Sequence, residues 1–120
     1  MVAPATGKVV LVPFPFSDLS QSKLRPAIVL AGAGRGDWIL CQVTSNPYGD
    51  PRAVRLTDES FTEGSLRIDS FARPGKLFTA SASLMMNEVG VLKEDVTEHV
   101  VEGVISILRG RENETTSTST

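Results

Sequence analysis

Residues 25–45, RPAIVLAGAGRGDWILCQVTS, limit the fold of this chain more than any other stretch. Ala27-Ile28-Val29-Leu30 and Trp38-Ile39-Leu40-Cys41-Gln42-Val43 are rich in branched and aromatic side chains, which pack well on a pleated, half-buried surface, so each reads as a strand. Gly32, Gly34, Gly36 and Asp37 lie between them and are residue types that reverse a chain with little strain. Paired as a hairpin, the two runs bring Arg25 and the Thr44-Ser45 pair to the same edge of a sheet. A guanidinium fork beside two hydroxyls can hold a phosphate.

The remaining chain repeats this pattern of short strands and close turns. A first strand is expected from Gly7 to Val12, ended by the prolines of PFPF, which cannot donate to a ladder and so mark a strand end or an edge. One of Phe14 and Phe16 is expected to pack inward. Residues 17–23 form a polar linker expected to be mobile. Residues 46–51 are a turn cluster, and 52–56 and 65–71 alternate in the manner of strands. Pro74-Gly75 is expected to turn the chain back into a short final strand at 76–80. Such short strands with no helix between them predict a small, coiled antiparallel barrel. One helix follows, with Glu94 and Asp95 in its first turn, an apolar stripe from Val96 to Leu108, and Gly110 as its stop. Gly103 weakens that helix by about 1 kcal/mol relative to alanine, so it must lean on the sheet.

A length of 120 residues gives one domain, expected over 7–110, with a flexible start at 1–6 and a disordered tail at 111–120. The single Cys41 excludes an internal disulfide framework, and with His99 as the only histidine no metal-ligand cluster is expected. No stretch reads as an export signal or a membrane span, which places the expected compartment in the cytoplasm. A net charge of −2 decides neither for nor against a nucleic acid, because a basic face can coexist with acidic elements elsewhere.

Few residues offer chemistry. His99 lies among the charges of the helix and reads as a surface or boundary residue, and Cys41 reads as a buried core thiol. Trp38 and Tyr48 could stack on bases but equally suit the core or its rim. Arg52, Arg55, Arg67, Arg73 and Lys76 read either as a phosphate-tracking face or as solvated strand charges.

The run GKVVLVPFPFSDLSQSKLRPAIVL, followed by WILCQVTSN, SLRIDSFARPGKLFTA and the amphipathic helix, resembles the PemK/MazF family of toxin endoribonucleases over about residues 7–110. That resemblance implies an SH3-like barrel that dimerises and cleaves single-stranded RNA without a metal or other cofactor. In that chemistry a ribose 2′-hydroxyl attacks the adjacent phosphate, leaving a 2′,3′-cyclic phosphate and a 5′-hydroxyl. The family's catalytic arginine falls on Arg25, suited to stabilising phosphate charge and protonating the leaving group, and its threonine falls on Thr44. Arginine is always protonated, so the general base stays unassigned. Ser45, Lys23, Arg67, Arg73 and Lys76 are the expected RNA contacts. A cognate antitoxin with an acidic segment is the implied partner, docking on residues 17–23 and the cations Lys23, Arg25 and Arg73. Two other readings share the fold: a CcdB-like inhibitor of DNA gyrase, and an RNA-binding barrel without catalysis.

Overall fold

The computed structural model describes residues 2–14 and 23–111; expectations on the 15–22 loop and the tail beyond Arg111 lie outside the described residues. Seven strands form one antiparallel sheet: Lys8–Phe14 (β1), Lys23–Gly34 (β2), Asp37–Thr44 (β3), Val54–Leu56 (β4), Phe61–Gly64 (β5), Ser70–Ser81 (β6) and Asn87–Leu92 (β7). Their order is β4-β6-β3-β2-β1-β7-β5, and the sheet curls into a half-barrel closed by the C-terminal helix Glu94–Leu108 (α1). The expected mainly β architecture with one terminal helix is what forms.

The β2–β3 hairpin is longer than the sequence suggests and turns at Arg35-Gly36, both at positive φ (59° and 81°), as a type I′ turn requires. Alternation along its strands sorts the core into two layers. Val9, Ile28, Leu30, Cys41 and Val43 face one way, with Leu56, Phe61, Leu92 and the helix residue Val100. Val10, Val12, Ala27, Val29 and Leu40 face the other way, with Val2, Ala80 and Met85. Residues 2–6, expected to be loose, form no helix or strand, yet Val2 is buried in this second layer and Thr6 Oγ1 donates to the Leu30 carbonyl at 3.1 Å. β1 does not end before Pro13 but runs through it to Phe14, and Pro13 is tolerated because it lies on an edge there, β7 pairing with β1 only as far as Leu11.

Three expectations fail downstream of the hairpin. Residues 65–69 are a loop, with Arg67 at φ 70°, because Ser65 accepts the Arg67 N–H (2.9 Å) and donates to Asp58 (2.5 Å), giving the backbone a local alternative to a ladder. Pro74-Gly75 does not reverse the chain but lies inside the twelve-residue β6. On one side β4 pairs only with residues 70–72, and on the other the β3 register jumps from Cys41↔Leu77 to Val43↔Ala72, so Pro74 faces no ladder partner. β5 and β7 were not anticipated, and β7 is the strand that flanks β1 and carries the sheet toward the helix.

Helix α1 lies against β6 and seals the first layer through Val96, Val100, Val101 and Val104. Gly103 is where it leans on the sheet: a Cβ there would stand 2.9 Å from Pro74 Cγ. The strand bulge and the helix glycine therefore fit each other.

Candidate functional site

Beyond Leu11, β1 continues as a two-stranded ribbon with β2, in the register Val12↔Arg25, Pro13↔Leu24 and Phe14↔Lys23. Arg25 is exposed on this ribbon and forms no ion pair among the described residues. On the neighbouring strand Ala27 pairs with Gln42, and the next same-face positions toward this end are Arg25 and Thr44. The hairpin thus brings the two together as the sequence suggests.

They share a cleft of about 350 Å³, lined by Leu11, Arg25, Pro26, Val43, Thr44, Ser45, Ser65, Leu66, Arg67, Ile68, Ser70 and Val89. Four of the sequence-predicted residues therefore meet here: Arg25, Thr44, Ser45 and Arg67. Val43, Leu66 and Val89 join the cleft to the first core layer, and the 65–69 loop supplies part of its wall. That wall escapes sequence reasoning because its alternation imitates a strand; the signal available was Ser65 two residues before Arg67, a pattern that favours side-chain-to-backbone turns. The described lining holds no histidine, aspartate or glutamate, so no carboxylate or imidazole base is supplied by it.

Thr44 is half-buried, and its Oγ1 accepts the Asn46 N–H at 3.2 Å, which starts the turn cluster. A hydroxyl has one donor and two lone pairs, so the O–H remains able to donate to a ligand in the cleft. The hydroxyl thus has a structural partner in the turn as well as a donor free for the cleft.

The other predicted cations are dispersed. Arg73 Nε pairs with Asp50 at 3.1 Å, both side chains largely buried, and its guanidinium stands 5.5 Å from the Tyr48 ring centroid. Arg52 donates to the Arg111 carbonyl at 2.5 Å, and Arg55 is paired with Asp69. These arginines do not form the continuous phosphate-tracking face. Lys76 lies in a second pocket with Gln42, Leu77 and Phe78, and Lys23 is exposed on the ribbon. Cys41 is fully buried, and burial pushes its thiol up to about 12, as a core residue requires. His99 is exposed on the helix. Among the described residues no group of three or more His, Cys, Asp or Glu could hold a metal ion, and no helix is long and apolar enough to cross a membrane.

A family model for PemK-like, MazF-like toxins of type II toxin–antitoxin systems matches residues 5–108. Among solved structures, MazF (Form-I) from Deinococcus radiodurans is similar, with 24% identity, a TM-score of 0.71 and coverage of 91% of this chain and 99% of that one. The MazE-MazF structure (Form-III) from the same organism gives 22% identity, a TM-score of 0.70 and coverage of 92% and 100%. A mycobacterial endoribonuclease in complex with its cognate antitoxin gives 12% identity, a TM-score of 0.64 and coverage of 94% and 99%. At such identities these likenesses concern the fold. Among curated protein sequences there is no match. The family model spans nearly the whole described domain, and the chain belongs to the PemK-like, MazF-like family of type II toxin–antitoxin toxins.

Proposed function

We propose that this toxin is a metal-independent endoribonuclease of the cytoplasm that cuts single-stranded RNA by attack of a 2′-hydroxyl on the adjacent phosphate. The observation that carries the reading is the cleft itself: an exposed arginine without an ion-pair partner among the described residues, next to a threonine hydroxyl able to donate. Arg25 binds two phosphate oxygens and offsets the charge that builds on them in the transition state. Thr44 holds the phosphate or the attacking hydroxyl in line, while Arg67 and Ser45 contact the flanking backbone. Family membership and the likeness to a mycobacterial endoribonuclease support the reaction class.

The same reading includes a cognate antitoxin and a two-fold dimer. The MazE-MazF and endoribonuclease–antitoxin structures of similar fold support the first. Exposed Leu24, Leu84 and Met86 offer apolar surface for a second copy. The test is to incubate the protein with a long single-stranded RNA in EDTA and analyse the product ends. Cleavage to 2′,3′-cyclic phosphate and 5′-hydroxyl termini is expected; intact RNA at every enzyme concentration would contradict the proposal.

A further inference from the structure

We infer that Gln42 and the pocket beside it form a base-reading subsite next to the Arg25 and Thr44 pair. The inference rests on the ribonuclease reading above and adds the part of the RNA that this pocket takes.

The pocket, about 320 Å³, is lined among the described residues by Gln42, Lys76, Leu77 and Phe78. The β6 bulge lies beside it. Between the pairs Cys41↔Leu77 and Val43↔Ala72, the four residues 73–76 lie opposite Gln42 alone. Bulges of this kind re-aim side chains beside functional sites.

Gln42 Oε1 is buried and has no hydrogen-bond partner among the described residues. Leaving a buried carbonyl oxygen unmet is unfavourable, and a hydrocarbon side chain would avoid that penalty. The empty acceptor therefore points to a donor that a ligand brings. On the pleat, Gln42 pairs with Ala27, and one same-face step along each strand, about 7 Å, reaches Thr44 and Arg25. A nucleotide flanking the phosphate held by Arg25 comes within reach. Nucleobases present amino or imino N–H groups beside ring acceptors, which match the acceptor and donors of a glutamine amide. Leu77 and Phe78 give the pocket apolar walls, and Lys76 adds a cation for the sugar-phosphate chain. The step is binding only; no bond forms or breaks here.

The test compares the full chain with Gln42→Leu on a randomised RNA pool, reading base preference at the cut ends and kinetics on the preferred oligonucleotide. The expected result is loss of preference at one flanking position and a roughly tenfold or greater fall in kcat/KM through KM, with kcat at saturation held. Thermal melting of the variant should match or exceed that of the parent, because the unmet acceptor is gone; Gln42→Met serves if the leucine variant fails to fold. Identical preference in parent and variant overturns the inference. If the parent cuts no RNA, the ribonuclease reading fails separately. Equilibrium binding of oligonucleotides differing at single bases then decides: discrimination lost in the variant upholds the subsite, and equal discrimination in both proteins overturns it.

Discussion

Arg25 and Arg73 were both candidate RNA contacts by sequence, and the fold treats them in opposite ways. Arg73 lies within β6, held by Asp50 and covering the Tyr48 ring, with its side chain 18% exposed. Arg25 stands on the ribbon beyond the sheet, exposed, with no ion pair among the described residues, and opens onto the cleft. A partly buried guanidinium with a carboxylate and a ring already serves the fold, and a phosphate would have to displace those partners. An exposed one beside a hydroxyl has its donors available for a ligand. What each arginine already holds, rather than its charge, separates the candidate site residue from the structural one.

The sharpest way to break this contrast is to change the shape of Arg25 while keeping its charge. Arg25→Lys should lower the cleavage rate roughly 10²–10³-fold, because an ammonium cannot bind two phosphate oxygens in a fixed fork; quenched single-turnover assays measure it. Next, Thr44→Val should reduce kcat/KM roughly tenfold to a hundredfold and lower stability by about 0.5–1.5 kcal/mol, since the Asn46 N–H loses its acceptor. Thr44→Ser, which keeps the hydroxyl, should restore most of both. On the tied side, Gly103→Val should destabilise by about 1–3 kcal/mol in urea, because the added carbons meet Pro74, where a Cβ alone would stand 2.9 Å from Cγ. Cleavage by the folded fraction should be unchanged.

The smallest effect concerns Cys41. Its folded pKa is raised from 9.0 to about 12, so the proton is held more tightly in the native state. That stability is fully present below pH 9 and is lost as pH rises from about 9 to 12. Below that window the native thiol should resist alkylation and react only on unfolding. Rapid labelling of the native protein at pH 8 would show that the strand opens at this point.

The hairpin was legible because branched side chains alternate with a glycine-rich turn, and the register that follows carries Arg25 to Thr44 without further information. Helix α1 was legible for a similar reason, its stripe and its stop both being local. β7 was not, since Asn87, Glu88 and Gly90 are weak strand formers and only pairing with β1 and β5 makes Asn87–Leu92 a strand. Pro74-Gly75 reads locally as a turn, and nothing in the sequence shows that β4 stops short of it or that Gly103 packs on it. Gln42 stands opposite the same non-local bulge, so its surroundings could not be read from spacing. The partners of the arginines were hidden too: Arg73 and Asp50 are 23 residues apart.

The contrast itself is tested most directly by measuring RNA cleavage and thermal unfolding on Arg25→Ala and Arg73→Ala side by side. Arg25→Ala is expected to melt with the parent protein while losing cleavage by at least about a hundredfold. Arg73→Ala, which leaves Asp50 largely buried and unpaired, is expected to melt several degrees lower while its folded fraction still cuts. The reverse pattern, with Arg25→Ala active but less stable and Arg73→Ala stable but inactive, would contradict the assignment of the cleft.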